Sequence, residues 1–97
     1  MQYIYLVHQK EFSSINEPTY TVGKAYQSYV SKITGVPKDS DVIVFQQVRD
    51  NEACERALIF SLKDAFQIHT KGPEFIIGDV DEIQKALLEI IMRIEYT

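Results

Sequence analysis

The sequence predicts a single α+β domain over residues 1–97, in which a small, mainly antiparallel sheet of three or four strands is covered by about three helices. Runs of β-branched and aromatic residues alternate with segments whose apolar residues recur at helical spacing. The connection between the first two predicted strands is too short for a parallel crossover, which favours antiparallel pairing. A chain of 97 residues can bury one core and is too short for a second.

The first half of the chain supplies three predicted strands and one helix. Residues 2–7 are apolar almost without interruption, which is typical of a central strand covered on both faces. Residues 8–18 are polar and predict a loop, and residues 19–23 predict a second strand that ends in a glycine turn. Apolar residues at helical spacing then predict helix one over residues 24–34. The glycine and proline that follow mark its end. Residues 42–48 are the most β-like run of the chain.

The second half supplies two further helices and one short extended segment. Asp50 and Asn51 are both suitable N-caps for a second helix, which should end near His69. Residues 74–78 are too short for a helix and fit an edge strand or an extended turn. Asp79, followed three positions later by a glutamate, predicts a capping box at the start of a strongly amphipathic last helix.

Composition excludes several classes of protein. The single cysteine, Cys54, cannot form an internal disulfide, and the absence of a cysteine and histidine cluster argues against structural zinc, so we expect an intracellular protein. No run approaches the roughly 18 apolar residues of a membrane span, and the first residues lack the basic start of a signal peptide. The net charge of −4 means that DNA binding would need a local basic patch, for which the lysines concentrated in the first half are candidates.

Several motifs, taken in order, resemble the GIY-YIG nuclease domain. They are Tyr3-Ile4-Tyr5, a polar gap, Tyr20-Thr21-Val22-Gly23, a helix, a strand, and a helix that carries Glu55. More narrowly, the chain is similar to the small stand-alone versions of large DNA viruses and phages, and the likeness continues through residues 36–40 and 72–75. The resemblance implies the order ββαβα(β)α and a metal-dependent endonuclease or nicking enzyme that acts on DNA.

The resemblance also implies roles for individual residues. Tyr5 and a tyrosine of the second motif, for which Tyr20 is the candidate, would position the attacking water. The family has an arginine on helix one that faces the phosphate; its position falls here on Ser31 or Lys32, and Lys32 is the candidate because it is the cation. Glu55 would hold Mg²⁺ or Mn²⁺. This chemistry is physically reasonable, since a divalent cation polarises the phosphate and a fixed positive charge stabilises the charge that develops in the transition state.

Three further residues are candidates for substrate binding, namely Tyr3, Lys24 and His8. Each has a structural alternative, because strand tyrosines are favoured for packing alone, and most lysines and histidines near loops are solvated or satisfied locally. Glu55 borders the apolar face of its helix and requires a partner, for which a salt bridge or a hydrogen bond to a strand tyrosine is as good an explanation as a metal.

Two positions depart from the family pattern. Thr21 stands where the second motif begins with tyrosine, and neighbouring Tyr20 points to the opposite face of the strand. Helix one contains no arginine, and Lys32 keeps the charge but lacks the planar fork that binds phosphate with two hydrogen bonds. We therefore expect a slow or inactive enzyme.

Two alternatives to an active nuclease stay open. One is a catalytically degenerate domain that binds nucleic acid through the same groove. The other is a module that binds a protein or a small ligand in the cleft or through the last helix, whose isoleucines could also support a homodimer.

Overall fold

The computed structural model describes residues 1–26 and 37–96. In chain order the elements are β1 (Gln2–His8), α1 (Lys10–Ser13), β2 (Thr19–Ala25), β3 (Asp41–Val48), α2 (Asn51–Ala65), β4 (Gln67–Ile68), β5 (Phe75–Ile77) and α3 (Val80–Glu95). The α+β class is confirmed, with three helices among these residues. The sheet has five strands where the sequence predicted three or four.

The strands lie in the order β3-β1-β2-β5-β4, and every neighbouring pair is antiparallel. The predicted antiparallel pairing of the first two strands is therefore confirmed, as is the internal position of β1 between β2 and β3. The pairing of β5 with β2 runs from Thr19 to Thr21. Beyond Thr21, the edge of β2 that faces away from β1 has no strand partner among the described residues, and the candidate site lies at this edge.

Strand alternation sends side chains to two different faces of the sheet. On one face the even-numbered residues of β1, Ile4 and Leu6, pack with α2 and α3 into the main core, which includes Leu58 and Leu87. On the other face a smaller cluster contains Tyr3, Tyr5, Val7, Ala25 and Phe45. Because both faces are covered, β1 reads as a continuous apolar run.

The two long helices begin at the aspartates that the sequence predicts as caps. Asp50 accepts a hydrogen bond from the backbone N–H of Ala53 at 3.1 Å, and Asn51 is the first residue of α2. Asp79 accepts from the N–H of Asp81 at 2.7 Å at the start of α3. None of the described helices combines the length and the apolar composition that crossing a membrane requires.

The predicted start of helix one is wrong. Gly23 does not end β2, which continues through Lys24 to Ala25. The glycine serves a close contact within the sheet and not a turn, as the geometry of the site shows. The rest of the predicted helix, including Lys32, lies outside the described residues.

Three further boundaries differ from the predictions. The loop predicted over residues 8–18 contains the single helical turn α1. The second long helix ends at Ala65 and not near His69, because β4 follows at once and pairs with β5. That pairing also makes β5 an internal strand and not an edge strand.

Candidate functional site

A cavity of about 390 Å³ lies beside the open edge of β2. It is bounded by β1, β2, α2 and the turn before β5. Its polar lining residues are Tyr5, Gln9, Thr21, Lys24, Glu55 and Glu74. The fold thus brings together three residues that the sequence singled out at distant positions, namely Tyr5, Lys24 and Glu55.

Tyr5 reaches the cavity because its neighbour in the sheet is a glycine. Tyr5 pairs with Gly23 across β1 and β2, and a Cβ at position 23 would lie 2.2 Å from both Cζ and the hydroxyl oxygen of Tyr5. The ring therefore lies over the backbone of Gly23, in space that any other residue would fill. A glycine inside a strand weakens it, and a close approach of this kind is a recognised reason for its presence.

The environment of the Tyr5 hydroxyl keeps it protonated. Burial raises the pKa of Tyr5 above its ordinary value of 10.0, and the negative charges of Glu55 and Glu74 raise it further. Near neutral pH the phenol is therefore a neutral hydrogen-bonding group and not a base.

Lys24 is shared between two glutamates of α2. Its Nζ lies 3.6 Å from a carboxylate oxygen of Glu55 and 3.8 Å from one of Glu52. The two glutamates are three residues apart and so lie on the same side of the helix. Glu55 lines the cavity with its side chain 24% exposed, whereas the side chain of Glu52 is 59% exposed and lies outside the lining. The salt-bridge interpretation of Glu55 is confirmed, and its carboxylate still borders the cavity.

The sequence did not mark Gln9 or Glu74 as functional residues, and it marked Thr21 only as the position where the family motif has a tyrosine. Glu74 belongs to the turn before β5, and its carbonyl accepts a hydrogen bond from the N–H of Val22 at 3.0 Å. Thr21 is 5% exposed, and its hydroxyl has no hydrogen-bond partner among the described residues. Glu74 lies in a Gly-Pro-Glu-Phe turn, and this turn indicates a position near the cavity only when the pairing of β5 with β2 is known.

Tyr20 and His8 lie away from the cavity lining. The ring of Tyr20 belongs to the main core, on the sheet face opposite to Tyr5, and its centroid lies 4.4 Å from that of His8. His8 donates a hydrogen bond from Nε2 to the carbonyl oxygen of Glu17 at 2.7 Å. Burial raises the pKa of Tyr20, with smaller contributions from two acidic residues near the start of α3. Both residues therefore have local packing partners.

Tyr3 is also outside the cavity lining. Its ring stacks on that of Phe45, with centroids 4.8 Å apart, and its hydroxyl contacts the sulfur of Met1 at 3.2 Å. No position can be assigned to Lys32, since it falls outside the described ranges 1–26 and 37–96. Of the seven residues that the sequence put forward, Tyr5, Lys24 and Glu55 are those the structure places around one cavity.

The donor groups of the cavity suit a hard divalent cation. Carboxylate oxygens from Glu55 and Glu74 and the hydroxyl of Thr21 are the ligand types that Mg²⁺ and Mn²⁺ prefer. The described part of the chain contains no group of three or more His, Cys, Asp or Glu residues that could enclose a metal. Mg²⁺ is often bound through only one or two carboxylates, with water and substrate phosphate completing its coordination, and the residues present fit that mode.

No protein-family model matches the chain, and neither a curated protein nor a solved structure is significantly similar to it.

Proposed function

We propose that the chain is a GIY-YIG-like nuclease-fold protein that hydrolyses phosphodiester bonds of DNA with Mg²⁺ or Mn²⁺, inside the cell. One observation above all supports this function. Tyr5 and Glu55, which the family resemblance assigns to one site, line one cavity together with Lys24, a further candidate for substrate binding, although the three come from β1, α2 and β2. Glu55 is the residue that would hold the cation.

In such a hydrolysis the oxygen of a water molecule bonds to phosphorus and one ester P–O bond breaks. The departing oxygen takes up one proton, and the two protons of the attacking water are divided between that oxygen and the new phosphate group, which releases its proton to solvent. The cation, when bound, polarises the phosphate and lowers the pKa of the water. Tyr5 acts as a neutral hydroxyl that orients the water by a hydrogen bond, because burial and two glutamates hold its pKa high. Lys24 contributes a positive charge beside the phosphate.

Glu52, the second partner of Lys24, allows Glu55 to bind a cation. Glu55 can exchange the ammonium group for a cation without leaving Lys24 unpaired, because Glu52 is 3.8 Å from the same nitrogen. A Glu52 carboxylate that lies outside the cavity lining would thus keep the lysine near the site while Glu55 is engaged.

We expect slow turnover because the site lacks the second tyrosine and the arginine of the family. Thr21 offers a short hydroxyl at the position where the family has a tyrosine, and Tyr20 faces the opposite side of the sheet. Lys24 cannot form the two parallel hydrogen bonds of an arginine. The same features support the alternative of a catalytically degenerate domain that binds DNA without cutting it.

Nicking of supercoiled plasmid DNA in the presence of Mn²⁺ tests this function. Glu55→Gln and Glu52→Gln form a matched pair, since each removes one charge from the partners of Lys24 and only the first alters the cavity lining. We expect Glu55→Gln to nick more slowly than the wild type by about tenfold or more, as changes at metal sites commonly do. Glu52→Gln removes a partner of Lys24 but leaves the proposed cation ligand in place, so it should nick more slowly than the wild type by a smaller factor.

Nicking that survives Glu55→Gln, or that proceeds equally well in a chelator, would contradict the proposal. If neither the wild type nor any variant nicks, a salt titration of DNA binding tests the alternative of a catalytically degenerate DNA-binding domain. Binding through phosphate contacts must weaken steeply as salt rises.

A further inference from the structure

The backbone of Glu74, which lines the cavity, is held in place by hydrogen bonds. Its carbonyl accepts from Val22 of β2 at 3.0 Å, and the N–H of the next residue, Phe75, donates to the carbonyl of Gly72 at 3.1 Å. Phe75 in turn pairs with Thr21 in the sheet. Glu74 is therefore fixed at the point where β5 begins beside β2, in the lining of the cavity.

The side chain of Glu74 is directed by the glycine two residues before it. A Cβ at Gly72 would lie 2.9 and 3.0 Å from the two carboxylate oxygens of Glu74. The carboxylate thus lies against the Gly72 backbone, in a position that an alanine side chain would disturb. Glu74 makes no ion pair or side-chain hydrogen bond with the described residues, so its charge is not neutralised by a protein group there.

Charge in the cavity is unbalanced. Glu55 and Glu74 both line it, and both act on the phenol of Tyr5 strongly enough to raise its pKa. Among the described lining residues Lys24 is the one cation, and it lies within ion-pair distance of Glu55 and of Glu52. A divalent cation between the two lining carboxylates would balance the remaining negative charge.

An independent observation also points to a bound group. Three buried side-chain atoms lack a hydrogen-bond partner among the described residues, and they belong to Thr19, Thr21 and Asn51. Of these, Thr21 lines the cavity, and the residue is 5% exposed. A buried hydroxyl normally has a partner, and a hydrated cation brings water molecules that can supply one.

We propose that Glu74 is a second carboxylate ligand of the divalent cation in this cavity, opposite Glu55, and that Gly72 positions its side chain. Because the cation is that of the proposed nuclease, this role rests on the proposed function. Two carboxylates with water and substrate phosphate satisfy the usual coordination of Mg²⁺ and Mn²⁺ in proteins. Glu74 thereby becomes part of the site although it lies in a turn far from Glu55 along the chain.

A titration of the full chain with Mn²⁺ tests this role without DNA or catalysis. Binding is measured as the loss of the electron paramagnetic resonance signal of free Mn²⁺. Glu74→Gln keeps the shape of the side chain and removes its charge, and we expect it to weaken Mn²⁺ binding about tenfold. Gly72→Ala keeps both carboxylates and should weaken binding to a smaller extent. Glu89→Gln, on the exposed surface of α3, is the matched control and should bind as the wild type does.

The outcomes separate this role from the proposed function. If Glu74→Gln binds Mn²⁺ as tightly as the wild type while Glu55→Gln does not, the role of Glu74 is overturned and the proposed function stands. If the wild type itself does not bind Mn²⁺, both are overturned. Circular dichroism of each variant confirms that weaker binding does not come from unfolding.

Discussion

Replacing Gly23 with alanine tests the geometry on which the site depends. The new Cβ would lie 2.2 Å from Cζ and the hydroxyl oxygen of Tyr5, and 2.7 Å from Cε1. Ordinary carbon contacts are about 3.5–4.0 Å, so the ring must move by roughly 1.3–1.8 Å, the difference between these distances and 2.2 Å. Tyr5 is only 8% exposed and belongs to a packed cluster, so this movement is opposed.

The expected cost of Gly23→Ala is about 1–3 kcal/mol in the free energy of unfolding, the usual range for an overpacked core. Without the ring the same change should be neutral or stabilising by about 0.5–1 kcal/mol, because alanine loses less backbone entropy than glycine on folding. Chemical denaturation of the wild type, Gly23→Ala, Tyr5→Leu and the double variant measures both values in one cycle.

A coupling energy of at least about 1 kcal/mol between positions 5 and 23 is the result that the contact requires. If Gly23→Ala costs the same in both backgrounds, the glycine is needed for some other reason, and Tyr5 does not reach the cavity by crossing it. If Gly23→Ala matches the wild type in stability, the close approach itself is wrong.

Two further predictions concern titratable groups. The folded-state pKa of Tyr5 is raised above 10.0, so its contribution to stability is complete below about pH 10. That contribution is lost as the pH rises from about 10 through the higher folded-state pKa. Tyr5→Phe should therefore make the fall of the unfolding free energy in this range shallower by up to about 1.4 kcal/mol per pH unit, and equal slopes would contradict the raised pKa. The Cys54 thiol is fully buried, and its pKa is raised by burial and then by Glu95. Its reaction with a thiol reagent at pH 8 should therefore be limited by unfolding and become rapid in denaturant, whereas rapid reaction of the native protein would show that the thiol is accessible.

The elements that the sequence predicts well are those whose signal is local. The buried run of β1, the capping aspartates Asp50 and Asp79, and the amphipathic face of α3 all follow from residue types and periodicity. Strand alternation was also sufficient to separate Tyr20 from Thr21, and the structure confirms that one packs in the main core while the other lines the cavity.

What the sequence does not predict depends on contacts between distant segments. A glycine after a strand-like run is compatible with a turn, and only the pairing of Tyr5 with Gly23 shows that the strand continues. The two residues of β4 are too few to show any periodicity, so the sequence predicts an end of α2 that lies beyond Ala65. Glu74 joins the cavity through the pairing of β5 with β2, which the Gly-Pro-Glu-Phe turn alone does not predict.

The cation site in this cavity is tested most directly by locating bound Mn²⁺ on the native wild-type chain by nuclear magnetic resonance. Substoichiometric Mn²⁺ broadens the signals of nearby amides, and we expect the broadening to be centred on residues around the cavity, namely Gly23, Lys24, Glu55 and Glu74. Broadening centred on the acidic residues at the start of α3, Asp79, Asp81 and Glu82, or spread evenly over the surface, would contradict a cation site in this cavity.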